Sequence, residues 1–405
     1  MTSLLTKFHS VLEDSKYPLI GRNVKLLKMS YLLSERPGYR AAVRVKAGIL
    51  LSLMIFFALT QATDTFINIS NIVKFLRNLK YVLMSTMIIA KVSSYMLWQK
   101  RWETIIQYVN KVNVDRLKTD DPISIKIYKK LVKYCKIVTY IYIYLTSATV
   151  FLVLIQPILI YCLRMYSSLE DDLDKYIPIT NTWVPFDKDN LTVYLLSLLL
   201  QIYATIYSLI YIVAFDANAV STMVFFRGEV ELLRRDSQIL FGTNSPVNEE
   251  TARVNLSKCQ KRHKDLVKYV KLFDSCLSPI MLLYVIVCSV MLCATAYQLT
   301  VETNAMQKFI TAEYLIFGVS QLFMFCWHSN EVLYVSKDLT LGPYESMWWT
   351  RSVSEQKDIS ILTDQFNKEI VFSAGPFTSI TVATFISILK GAYSYYTLLS
   401  QSEED

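Results

Sequence analysis

Hydrophobic residues along this chain fall into seven runs, separated by stretches rich in Lys and Arg. A helix rising 1.5 Å per residue needs about 20 apolar residues to cross about 30 Å of hydrocarbon. The runs lie at 47–67, 79–98, 137–160, 191–215, 277–298, 309–328 and 372–399. They predict an all-α membrane protein with seven transmembrane helices. Between them, 216–275 and 343–371 keep apolar residues at helical spacing within charged sequence, which predicts helices that pack into a bundle outside the bilayer. Val220 to Phe241 reads as a charged amphipathic continuation of the fourth span, ended by the break at Gly242-Thr-Asn-Ser-Pro246. Residues 1–46 form a segment before the first span, and 400–405 a short tail after the last.

Charge sets the expected orientation. Of 42 Lys and Arg, 33 lie in 1–46, 99–136, 216–271 and 328–370, the segments on one side of the seven crossings. Cytosolic loops carry the excess of basic residues. The N-terminus and the helical bundle are therefore expected in the cytosol, and the C-terminus outside. Two glycosylation sequons, Asn68-Ile-Ser70 and Asn190-Leu-Thr192, fall on the outer side of this plan, and Asn255-Leu-Ser257 falls inside. No secretory signal pattern precedes the first run, which is expected to act as its own anchor. The net charge of +8 follows from the loop bias, and no nucleic-acid-binding motif accompanies it. Two lysines, Lys91 and Lys390, sit within spans. Each costs about 2.5–3.5 kcal/mol at mid-bilayer, so each must face water, snorkel or find a partner.

The last run is apolar on one side only. At 100° per residue, Thr384, Ser387, Gly391 and Ser394 lie within about 40° of Leu398, with Gln401 just beyond. Phe385, Ile386, Leu389, Tyr393 and Tyr396 take the opposite side. A stripe of small and hydroxylated residues suits close helix packing or a water-filled path.

Several stretches resemble insect odorant receptors. The outer loop ends Trp183-Val-Pro-Phe-Asp187, after acidic Glu170, Asp171, Asp172 and Asp174; Phe215-Asp216-Ala217 precedes Gly228-Glu-Val-Glu-Leu-Leu-Arg-Arg235. Leu256-Ser-Lys-Cys259 precedes His263-Lys-Asp-Leu266. Then come Tyr344-Glu-Ser-Met-Trp348, Gly375-Pro-Phe377, Thr384-Phe385, Ile388-Leu-Lys390 and Tyr393-Ser-Tyr-Tyr-Thr-Leu-Leu399. The resemblance runs in order over about 220 residues; the N-terminal 160 residues add only span number and orientation.

The resemblance implies an odour-tuned subunit of a tetrameric, ligand-gated, non-selective cation channel at the plasma membrane of olfactory sensory neurons. Its partners would be the family's co-receptor subunit, a small volatile odorant, membrane lipid and the permeating cations. Short cytosolic loops favour a tuning subunit over the co-receptor itself. It places Leu398 at a hydrophobic gate and Gln401 at the outer mouth, with Glu403, Glu404 and Asp405 as an acidic rim. Ser394, Gly391, Ser387 and Thr384 would line the pore below. It also places a ligand pocket in the outer half of the bundle, among Tyr81, Met84, Ile88, Thr149, Leu152, Gln156, Tyr194, Leu198 and Tyr314.

Other classes find less support. Ser394-Tyr395 followed by Gln401-Ser402 partly matches a gustatory-receptor ending. Phe325-Cys-Trp-His328 touches a G-protein-coupled motif, but its proline is missing and the charge bias inverts that topology. No P-loop, Rossmann glycine run, HExxH or GxSxG occurs, so an enzyme is not expected, nor a cofactor. The seven cysteines have no CxxC spacing, and with three histidines they give no basis for a metal site.

Overall fold

The structure is a computed structural model. It describes residues 14, 16–34, 40–118, 121–167, 177–186, 190–243, 245–302 and 304–401; the side chains at 73, 163–167 and 398–401 lie outside that description. Eight helices dominate it: α1 (Gly21–Met29), α2 (Arg40–Ile67), α3 (Ile72–Leu97), α4 (Gln99–Leu117), α5 (Pro122–Ser167), α6 (Leu191–Gln238), α7 (Glu249–Val301) and α8 (Ala305–Lys337). A single turn α9 (Leu341–Tyr344), a helix α10 (Val353–Phe366), a hairpin β1–β2 (Ser373–Ala374 and Thr378–Ser379) and a last helix α11 (Val382–Gln401) complete it.

Asparagine starts four of the long helices. Asn71, Asn190, Asn248 and Asn304 each accept a hydrogen bond from a backbone N–H of the first turn, at 2.8–3.1 Å. A short side-chain oxygen thus satisfies a donor the helix cannot pair itself. α5, α6 and α7 then run 46, 48 and 53 residues, well past bilayer thickness. The chain turns by 79° between α3 and α4, at Trp98. There Tyr95 and Trp102 stack at 5.1 Å and bury the corner.

α6 is the spine of the bundle. From Tyr211 through Phe226 every residue is buried, because α1, α5, α7, α8 and α9 all pack on it. The charged continuation expected over Val220–Phe241 is helical as far as Gln238, where the helix breaks, and it packs into the bundle. Most of that stretch is enclosed, and Glu229, Asp236 and its three arginines meet opposite charges. Glu229 receives Arg262 at 2.8 Å, and Arg235 reaches Asp121 at 2.7 Å. The expected helical stretch 343–371 is likewise broken into α9, a 3-10 turn at Trp348–Thr350, and α10. α10 begins with a capping box in which Ser352 and Glu355 satisfy each other's backbone N–H.

The last span starts later than the apolar run suggests. Residues 372–381 form the hairpin, so the helix begins at Val382 rather than 372. Ser373 donates to both Asp274 and Ser278 of α7, and the Gly375 N–H reaches the Ser278 hydroxyl at 2.9 Å. Gly375 has φ +64°, and a Cβ there would lie 2.7 Å from Leu282 Cδ2. A left-handed turn in close contact needs glycine, and it aims the chain into α11.

Candidate functional site

A chamber lies at the level of α3, α5, α6 and α8. Tyr81, Met84, Ser85 and Ile88 supply one wall, at the i, i+3, i+4, i+7 spacing of a single helix face. Thr149, Val150 and Val153 of α5, Thr205, Ser208, Leu209 and Ile212 of α6, and Tyr314 of α8 close the rest. Phe57 and Gln61 of α2 reach in from a fifth helix, and Thr180 from the loop. The free volume is about 60 Å³, with a further 30 Å³ one turn deeper beside Met87, Lys91, Tyr284, Met291 and Gln321. That room suits a few waters. A molecule of odorant size must spread the walls, and methionine and leucine side chains re-pack readily.

Two polar features border this apolar space. On its outer side, Thr149 donates to Glu313 at 2.7 Å, and Tyr81 meets Tyr314 edge-to-face at 6.1 Å. Gln61 receives Ser85 at 2.8 Å and donates to Thr180 at 3.4 Å, tying the loop to the bundle. Beneath it, Lys91 Nζ sits 2.7 Å from Asp216 Oδ1, both buried. The second Asp216 oxygen accepts from Gln321 Nε2, and Gln321 in turn accepts from the Tyr284 hydroxyl. The Lys91 ammonium also lies 5.2 Å from the centre of the Tyr284 ring.

Of the nine residues expected at the pocket, Tyr81, Met84, Ile88, Thr149 and Tyr314 line this chamber. The other four do not. Leu152 lies about 60° around α5 from Thr149, away from Val150 and Val153. Gln156 is buried two turns beyond Thr149, outside the lining. Leu198 is two turns from Thr205, where α6 first meets the space, and Tyr194 uses its hydroxyl to hold the Ile177 carbonyl at 3.1 Å. Sequence reading missed Phe57, Gln61 and the Asp216–Gln321 pair. A glutamine inside the first apolar run was the available signal for Gln61, because such a group needs partners within the bundle. The pairing of Lys91 with Asp216 depends on helix packing, which one sequence does not display.

The last helix packs on α7 and α8 through Phe385, Ile388, Leu389, Ala392 and Tyr396. Ser387 and Ser394 are exposed, and each hydroxyl bonds a carbonyl one turn back at 3.0 Å. A Cβ at Gly391 would meet nothing within 4 Å. Among the described residues, then, this stripe is not a packing surface within the chain. Thr384 differs: it is half-buried and bonds the Ser379 carbonyl at 2.6 Å. Ile386 and Tyr393, placed on the apolar side by helical angle, are exposed as well, because the packed face is narrow. Lys390 is exposed beside the stripe. The side chains of Leu398 and Gln401, the rim at Glu403–Asp405 and the acidic loop Glu170–Asp174 lie outside the described residues.

The family model for the 7tm Odorant receptor matches residues 71–393. The chain belongs to that family. Odorant receptor 10 of Aedes albopictus is 28% identical over 187 residues, 46% of this chain and 50% of the relative. The odorant receptor coreceptor of Anopheles gambiae is 25% identical over 142 residues, 35% of this chain and 30% of the relative. In these matches the chain spans half or less of the curated relatives' length. Among solved structures, the insect olfactory receptor OR5 from Machilis hrabei in complex with eugenol superposes with a TM-score of 0.80 at 15% identity. That match covers 95% of this chain and 97% of the other, so the seven-span olfactory receptor fold is this chain's fold. It is a multi-pass membrane protein.

Proposed function

We propose that this chain is an odour-tuning subunit of a ligand-gated, non-selective cation channel, assembled with a co-receptor subunit at the plasma membrane. A small volatile molecule occupies the chamber bounded by Tyr81, Met84, Ile88, Thr149 and Tyr314. The last helix lines the pore with Ser387, Gly391 and Ser394, and Leu398 forms the hydrophobic constriction. A ring of leucines excludes ions by dewetting, and small outward movements admit water.

The observation that carries this reading is a single helix shared by both regions. α8 presents Tyr314 and Gln321 to the chamber and, at Phe323, packs edge-to-face on Phe385 of α11 at 5.5 Å. A ligand that spreads the chamber walls displaces α8 as a rigid element, and Phe385 transmits the displacement to the pore helix. Opening then follows only if the open arrangement holds the ligand more tightly than the closed one. Membership of the odorant receptor family supports this reading over a gustatory-type or G-protein-coupled receptor.

The test is co-expression with an odorant receptor co-receptor and exposure to a panel of small volatiles under voltage clamp. At least one volatile is expected to evoke a cation current that Phe385→Ala weakens at unchanged surface level. Normal surface expression with no evoked current across a broad apolar panel would remove the proposal.

A further inference from the structure

A second apolar space opens on the side of the bundle, between α2, α6 and the loop segment 177–186. Its volume is about 460 Å³, several times that of the chamber. Phe56, Trp183, Val184, Pro185, Val193 and Leu196 line it. Phe56 and Leu196 are 56% and 65% exposed on the lateral face, at the height where both helices are continuously apolar. An aqueous docking surface of this composition would be costly, whereas a face in hydrocarbon is not.

Three features join this groove to the chamber. Phe57 lines both spaces and is itself buried, so its side chain stands between them. The wall beside Phe57 is the loop, tied to the helices by hydrogen bonds. Gln201 accepts from the Ile179 and Thr180 N–H groups at 2.9 and 3.2 Å and donates to Thr182 at 3.2 Å. The Trp183 N–H reaches the Thr60 carbonyl at 3.0 Å. Finally, Thr60 turns its hydroxyl back onto the Phe57 carbonyl at 2.7 Å, a bond that loosens or bends a helix at the residue it engages. Phe57, the residue common to both linings, thus sits on a softened turn.

We propose that this groove is a second binding site for small apolar volatiles, and the lateral route by which molecules dissolved in the bilayer reach the chamber, with Phe57 as the door. The inference rests on the chamber being the ligand site. Its occupant is the volatile itself: the groove is roomy where the chamber is tight, and the two share a wall. Apolar molecules concentrate in hydrocarbon, so a side opening receives them from the phase where they are abundant. A path differs from a site in one respect. Narrowing it slows arrival and departure by the same factor and leaves the equilibrium response unchanged.

The experiment uses the full chain with its co-receptor. A photoactivatable diazirine analogue of octanol is applied to channels in lipid nanodiscs, and adducts are mapped by mass spectrometry. Adducts are expected on Phe56, Val193 or Leu196, and excess octanol should suppress them. In parallel, Leu196→Cys in a Cys162→Ser background is modified by benzyl methanethiosulfonate on channels already at the surface. Cys162 is removed because it is exposed on α5. With the strongest agonist of the volatile panel, modification should slow current onset and decay alike by roughly five-fold without moving the half-maximal concentration. Modification of the Cys162→Ser parent should do nothing. Adducts that octanol fails to displace would indicate a resident lipid chain and overturn the proposal. So would unchanged kinetics, or a shift in half-maximal concentration with unequal effects on onset and decay. Failure of the chamber reading shows elsewhere, as chamber substitutions that leave agonist preference unchanged.

Discussion

Lys91 of α3 and Asp216 of α6 form an ion pair, 2.7 Å from Nζ to Oδ1, with 3% and 0% of their side chains exposed. It lies at the floor of the chamber, where Gln321 and Tyr284 complete its hydrogen bonds. Such a pair contributes little net stability, yet removing one partner leaves a buried charge and costs about 3–5 kcal/mol. Lys91→Met alone should therefore reduce folded protein sharply. Lys91→Met combined with Asp216→Asn keeps an acceptor for Gln321 and should recover most of the loss, as read by thermal unfolding of purified protein. A double variant no better than the single would show that the pair is not the coupled unit described.

Chamber size should govern agonist choice. Met84→Trp fills the space between α3 and α6 and is expected to lower the response to bulky volatiles at least about ten-fold while sparing smaller ones. Tyr194→Phe should leave the preference order intact. It removes the hydroxyl that bonds Ile177, worth about 1 kcal/mol, and the measurement is a concentration–response series across the panel.

Gly375→Ala is expected to lower stability by about 1–2 kcal/mol, the cost of a left-handed conformation for a residue with a Cβ. Contact with Leu282 adds to it. Thermal unfolding and surface yield should both fall, while Gly48→Ala, inside α2 where a Cβ meets nothing within 4 Å, should lower neither.

The positive-inside rule predicts a cytosolic N-terminus from the basic loops. An N-terminal epitope tag should resist protease added to intact cells, and a C-terminal tag should be cleaved. The reverse pattern would undo the positive-inside assignment and with it the channel plan.

How much of this was written in the chain differs by feature. Six of the seven apolar runs fall on a helix, because about 20 apolar residues in hydrocarbon have no other way to satisfy their backbone. The seventh failed at its start: Phe372, Ala374 and Phe377 read as span, but Ser373 and Gly375 are drawn to Asp274 and Ser278 a hundred residues earlier. Helical angle identified the stripe of Ser387, Gly391 and Ser394 correctly as one face. It could not show that Ile386 and Tyr393 are also outside the packed face, which depends on how α7 and α8 approach. Part of the chamber's lining was legible. Tyr81, Met84 and Ile88 share a helix face that spacing reveals, whereas Phe57 enters through a packing of α2 that no local pattern encodes. Tyr194 and Leu198 were set at the right end of α6 but above the level where the space begins.

The central claim is that the exposed flank of the last helix borders the ion path, and substituted-cysteine accessibility tests it most directly. Ser394→Cys and Gly391→Cys, each co-expressed with a co-receptor, should lose evoked current when a charged methanethiosulfonate is applied. Ile388→Cys and Ala392→Cys, on the packed face, should not respond. If the packed-face positions are blocked and the Ser394 and Gly391 variants conduct unchanged after complete modification, the last helix does not line the pore.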